Sequence, residues 1–215
     1  MIKFYLTVEL KRKGFGMRAL ILDMYGVIIK DPEGGLLPFI NRTFPNLSRE
    51  DVYLHWNKAD VGELSSLELF RNLGFQGDLG KIEKEYLDTI EIDDSFYEFA
   101  PLLKKHYHLA LLSNDLSEWS KYLRDKFKIN DYFDAITVSG DLKIKKPDAQ
   151  IFMHTLDKLG LSASDCIYVD DRRFNLEAAQ SLGMDTVLFN SRNVKYDGKT
   201  VLSFKELANL LIHHK

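Results

Sequence analysis

The feature that most constrains this chain is a repeated unit: a short apolar run ending on polar residues, then a helical pattern. Ala19 to Leu22 ends at Asp23, Leu109 to Leu112 at Ser113 and Asn114, and Ile167 to Val169 at Asp170 and Asp171. Ala135 to Val138 and Thr186 to Phe189 are runs of the same kind. Helical periodicity fills the intervals at 117–128, 148–159, 172–182 and 203–213. Strands without polar alternation are buried on both faces, so the pattern predicts an α/β fold: a doubly wound parallel, Rossmann-like sheet with helices on both sides. In such sheets ligands bind beyond the carboxyl ends of the strands, where these polar residues fall.

Residues 33–95 break the rhythm and read as helices only. Ser48 with Asp51 looks like a capping box opening one helix, and Ser65 caps another that runs to Leu73 before Gly74. The expected organisation is therefore a core made of 18–32 and 96–215, with a small helical unit at 33–95 inserted after the first core strand. Residues 1–17 stand apart. Ile2, Phe4, Leu6, Val8 and Leu10 alternate with polar or aromatic residues, as on an edge strand, while Met17 is an alternative start just before the recognisable fold. Lys11, Arg12 and Lys13 follow the apolar stretch, the reverse of a signal peptide. Gly14, Gly16 and Ala19 match a dinucleotide fingerprint, but they precede a strand instead of following one, so no nucleotide is inferred.

Composition removes several classes. A chain of 215 residues suits one domain with an insertion. Lys+Arg is 29 against Asp+Glu 32, a net charge of −3, which offers no basic excess for nucleic acid or an anionic membrane. No apolar run approaches the roughly 20 residues that span a bilayer. The single cysteine, Cys166, excludes an internal disulfide framework and a multi-cysteine zinc site. A cytoplasmic monomer or homodimer is expected.

Four pieces carry chemistry in a fixed order: Asp23-Met-Tyr25-Gly26-Val27; Ser113-Asn114; Lys145-Lys146-Pro147; and Asp170-Asp171 followed by Asn175 and Gly183. An aspartate at a strand end is often only a turn residue. Four such pieces, each at a strand end or the start of the next helix, are far more specific. Together they resemble the haloacid dehalogenase superfamily of hydrolases over residues 18 to about 190. The resemblance implies that 33–95 is the small helical cap of that superfamily. The stretch Gly62 to Phe70 is similar to the cap segment of bacterial sugar-phosphate phosphatases.

The implied activity is a Mg²⁺-dependent phosphatase acting on a small phosphorylated metabolite, a sugar phosphate being one candidate. Asp23 is the candidate nucleophile, forming an aspartyl-phosphate. A carboxylate attacking a phosphate dianion meets like-charge repulsion, which Mg²⁺ relieves. By resemblance, Asp171 is the main metal ligand, with Asp170, Asp23 and the Tyr25 carbonyl beside it. Lys146, Ser113 and Asn114 bind the phosphoryl group, Tyr25 borders it, and Asn175 orients the metal loop. One position departs from the pattern. Phosphatases of this superfamily carry a second aspartate where this chain has Tyr25, and a phenol is a poor water-activating base. Three readings follow: a phosphatase that works without that aspartate; a 2-haloacid dehalogenase, whose halide leaves without a proton; or a binding module with impaired turnover. The dehalogenase reading leaves Asp170 and Asp171 with no counter-ion beyond Lys146. His106 and His108, on one strand face, read as structural for want of a third ligand. His55, Trp56 and Lys58 lie on an inserted helix, either as substrate contacts or, as a tryptophan on an amphipathic helix usually is, with Trp56 in the core.

Overall fold

A computed structural model describes residues 16–30 and 35–212, so the reading of the first 15 residues lies outside it. Six strands, β1 (Ala19–Leu22), β2 (His108–Ser113), β3 (Ala135–Val138), β4 (Cys166–Asp170), β5 (Asp185–Phe189) and β6 (Thr200–Val201), form one parallel sheet in the order β3-β2-β1-β4-β5-β6. The five expected strands are all present. The sixth holds two residues, too few for any periodicity to reveal.

Alternation along β1 divides the core. Leu20 and Leu22 point into one apolar cluster, Ala19 and Ile21 into the other. The first cluster takes Phe96 and Leu103 from the helix Ser95–Lys104, Trp119 from Ser117–Lys126 and Phe204 from Phe204–Ile212. The second takes Phe152 from Ala149–Leu159 and Leu176 from Arg173–Ser181. The sheet is thus wound on both faces. Asp148 caps its helix, accepting from the Gln150 N–H at 2.8 Å, and Gly160 ends it at φ 66°.

Four further helices, Leu36–Thr43, Arg49–Asp60, Ser66–Asn72 and Leu79–Asp88, lie between β1 and β2. Ser65 and Glu68 form a complete capping box. Ser48 accepts from the Asp51 N–H at 3.0 Å, but Asp51 returns to the Ser48 hydroxyl and not to its backbone, so only half a box forms there. The chain enters and leaves this segment side by side: Ile29 bridges Ile92, and the Lys30 N–H donates to the Glu91 carbonyl. Phe70 and Tyr86 pack on Trp119 with ring centroids 5.9 and 4.9 Å away, which joins the segment to the sheet's own core.

His108 sits 3.1 Å from an Asp134 oxygen, and neither it nor His106 belongs to a cluster of possible metal ligands among the described residues. No helix among those residues is long and apolar enough to cross a membrane.

Candidate active site

Register builds the site. Leu22 pairs with Val169, so the next residues, Asp23 and Asp170, stand side by side at the carboxyl edge of the sheet. The Asp23 N–H donates to the Val169 carbonyl at 2.9 Å. Lys146 comes from the loop before the helix Ala149–Leu159 and is only 2% exposed. Its Nζ lies 2.7 Å from Asp23 Oδ1 and 3.1 Å from Asp170 Oδ2, and donates to the Leu112 carbonyl at 3.0 Å. Asn114 holds this lysine at both ends of its side-chain amide. It accepts from the Lys146 N–H at 2.8 Å and donates to the Lys146 carbonyl at 3.0 Å. Asn114 therefore positions Lys146, with its amide already engaged.

Asp170 is the most heavily bonded acid. It receives the Asn175 amide at 3.0 Å, the Arg172 N–H at 2.7 Å and the Tyr168 hydroxyl, besides Lys146. Asn175 is buried, as an orienting residue would be, and is no surface residue. Asp171 meets the Arg192 guanidinium, while its Oδ1 is buried without a hydrogen-bond partner. Arg192 is thus a second counter-ion in this cluster. It corrects the expectation that Lys146 stands alone, and it was missed because it lies beyond every motif. The Ser113 hydroxyl is also buried without a partner.

The charges are coupled. Burial raises the Asp23 carboxyl well above its ordinary value; Lys146 opposes this, and Asp170 and Asp171 add to it. Burial also raises Asp171, helped by Asp170 and opposed by Arg192. At Asp170 burial is outweighed by Lys146 and the Tyr168 hydroxyl, so its carboxyl is held low. Burial would likewise discharge Lys146, but Asp170 and Asp23 keep it above its usual value and charged.

Oxygens of Asp23, Asp170 and Asp171 lie within 4.8 Å of one another, and with the orphaned Asp171 Oδ1 this donor set fits a hard divalent cation. Gly26 makes the close approach possible. Its φ is +80°, and a Cβ there would lie 2.4 Å from Asp171 Oδ2. Gly26→Ala is expected to cost about 1–3 kcal/mol of stability. By displacing Asp171 it should also weaken Mg²⁺ binding by about tenfold or more, measured by calorimetry.

A cavity of about 290 Å³ opens over Asp23 and Lys146. Trp56 and Asp60 from the helix Arg49–Asp60 line it, so Trp56 is no mere core residue; it stacks on Tyr53 at 5.4 Å. The Tyr25 hydroxyl turns to Asp115 Oδ2 at 3.4 Å. Burial raises the Tyr25 phenol well above its ordinary value, with Asp115 adding to the effect, so it stays neutral and is no base. Asp115 and Asp60 both line the cavity and escaped the motifs. Burial pushes the Asp115 carboxyl well up, aided by Asp60. A raised folded value means the folded state keeps a proton that the unfolded chain releases. Stability at this residue is then intact below the ordinary carboxylate range and lost as pH rises toward the folded value. Asp115→Asn should therefore gain on the metal-free wild type between pH 4 and 8 in denaturant titrations, and match it near pH 4.

A parallel sheet whose strand ends converge on a lysine and three carboxylates is the layout of an aspartate-dependent hydrolase. The chain belongs to the haloacid dehalogenase-like hydrolase family, whose sequence model matches residues 21–189. It is 27% identical over 210 residues to the phosphoglycolate phosphatase of Aquifex aeolicus (strain VF5), 92% of this chain and 98% of that protein. It is 26% identical over 186 residues to drimenol cyclase drtB of Aspergillus calidoustus, covering 82% of this chain but only 35% of that longer protein. In fold it is similar to a family enzyme from Bacteroides thetaiotaomicron solved in complex with magnesium and inorganic phosphate. That match has a TM-score of 0.72 at 21% identity and covers 85% of this chain and 98% of that one. A dehalogenase structure also shares the fold, with a TM-score of 0.67 at 20% identity, covering 92% of this chain and 98% of that one.

Proposed function

We propose that the protein is a Mg²⁺-dependent phosphatase acting on a small phosphorylated metabolite, with Asp23 as nucleophile. The observation that carries this reading is the cluster of Asp23, Asp170 and Asp171 beside a charged Lys146, with Asp23 and Lys146 lining a cavity. Asp23 attacks phosphorus; its carboxylate oxygen forms a bond to phosphorus as the ester oxygen leaves. Asp23, Asp170, Asp171 and the Tyr25 carbonyl would hold Mg²⁺, which supplies charge neutralisation and lowers the Asp23 carboxyl toward its ionised form. Lys146 adds a fixed positive charge beside the attacking oxygen, and Ser113 supplies a hydroxyl near the phosphoryl group. Asn114 and Asn175 position Lys146 and Asp170. The helical segment at 33–95 acts as the cap: it carries Trp56 and Asp60 over the site and excludes water during transfer.

The dehalogenase reading draws on Tyr25, which suits a leaving group that needs no proton. Against it stands the buried Asp60 Oδ1 in the cavity wall, an acceptor without a partner, to which the carboxylate of a 2-haloacid brings no donor. Phosphate release from a panel of small phosphate esters tests the choice. Metal-dependent release, abolished by EDTA and by Asp23→Asn, is expected. Halide release from 2-haloacids that ignores EDTA would reverse it.

A further inference from the structure

Two carboxyls of the cavity wall take no part in the chemistry at Asp23. Asp60 ends the helix Arg49–Asp60, and Asp115 follows the Ser113-Asn114 strand end. Lys145, neighbour of the buried lysine, reaches Asn57 Oδ1 at 2.6 Å and Asp60 Oδ2 at 3.2 Å. That leaves Asp60 Oδ1, a buried atom with no hydrogen-bond partner. Asp115 is 2% exposed, and among the described residues no cation forms an ion pair with it. Its one side-chain partner there is the Tyr25 hydroxyl, at a long 3.4 Å. A buried acceptor such as Asp60 Oδ1 requires a donor. The Trp56 ring, held by stacking on Tyr53, lines the same space.

We propose that Asp60, Asp115 and Trp56 form a specificity subsite for the leaving group. It takes an uncharged, hydroxyl-bearing alcohol, a sugar or polyol, and rejects one that carries a carboxylate. The inference rests on the phosphatase reading and deepens it. A hydroxyl group donates to Asp60 Oδ1, others exchange bonds with the Asp115 carboxyl, and the ring offers a flat apolar face to the carbon skeleton. A carboxylate here offers only acceptors and would leave the buried Asp60 Oδ1 without a donor. An ammonium would meet Lys145 and Arg172, which border the same cavity. A site built to bond hydroxyls discriminates strongly, because an analogue without them leaves buried groups unpaired.

Binding can be read without turnover. Full-length Asp23→Asn protein with Mg²⁺ is titrated calorimetrically with glucose 6-phosphate, phosphoglycolate and phosphoethanolamine. Glucose 6-phosphate is expected to bind at least about tenfold more tightly than either of the others. Adding Asp60→Asn should remove most of that preference, and Asp115→Asn, a second variant in case the first folds poorly, should do the same. Equal or tighter binding of phosphoglycolate or phosphoethanolamine overturns the proposal. So does an unchanged preference in both variants, or no binding of any of the three. Phosphate release from glucose 6-phosphate by the wild type is scored separately: its absence alongside selective binding of glucose 6-phosphate sinks the phosphatase reading and leaves the subsite standing as a binding site.

Discussion

Lys146→Met should lower stability by about 3–5 kcal/mol and phosphate release by about a thousandfold. The lysine is the buried cation between Asp23 and Asp170, at 2.7 and 3.1 Å. Methionine keeps the apolar stem but strands two carboxyls in a dry pocket. They would recover by taking up protons, so their folded pKa values rise. The penalty then is small below the ordinary carboxylate range and grows as pH climbs through neutrality. Denaturant midpoints at pH 5 and pH 8 measure this directly. Adding Asp170→Asn should restore part of the stability and none of the turnover, since one stranded charge is gone and the cation beside the attacking oxygen is still missing. A Lys146→Met protein as stable as the wild type at pH 8 would show that the ion pairs contribute nothing to the fold.

The meeting of Asp23, Lys146, Asp170 and Asp171 was legible in the sequence because strand ends are local features. Asp23 and Asp170 meet through one register step beyond the Leu22–Val169 pair, and parallel order alone brings them together. The rest depends on packing between distant segments, and no period records it. Arg192 reaches Asp171 from the loop after β5, and nothing in its own neighbourhood marks it. Trp56 reads first as a core position of its helix, and nothing in the sequence marks Asp60. Their place over the site follows from contacts such as the Ser139 hydroxyl donating to the Asp60 carbonyl. Asn114 carries the opposite lesson. Its position at a strand end suggested phosphate contact, yet both ends of its amide are engaged by the Lys146 backbone. A motif fixes where a residue stands, and the neighbours decide what its polar atoms do.

Stability and function also diverge here. Asp115 is a carboxyl whose burial raises its pKa with no cation paired to it among the described residues, and it would be easier to fold as an amide. An acid kept in so costly a place, lining a cavity, is explained by what it binds and not by what it stabilises.

Tyr25→Asp carries the second large effect. After Asp23 has taken the phosphoryl group, a water must be deprotonated to release it, and the leaving alcohol must gain a proton. Tyr25 is no base for the water, since burial and Asp115 hold its phenol neutral, and so tightly held a proton makes it a weak acid toward the alcohol. With aryl and acyl phosphates, whose leaving groups need little protonation, the aspartyl-phosphate should therefore accumulate during wild-type turnover and be visible as a burst of leaving group. An aspartate at position 25 would stand near Asp115, and that like charge would raise its carboxyl toward neutrality, where a general acid works best. General acid–base catalysis contributes about 10²–10⁴-fold, so alkyl phosphates, whose alkoxides leave poorly, should gain about a hundredfold in turnover. Aryl and acyl phosphates, which need little protonation to leave, should gain far less in the first step. The dependence of phosphoryl transfer on leaving-group basicity thus flattens in the variant, and the burst disappears. A fall in turnover on alkyl esters would instead give the Tyr25 hydroxyl a positive role, and its contact with Asp115 would then be the place to look for it.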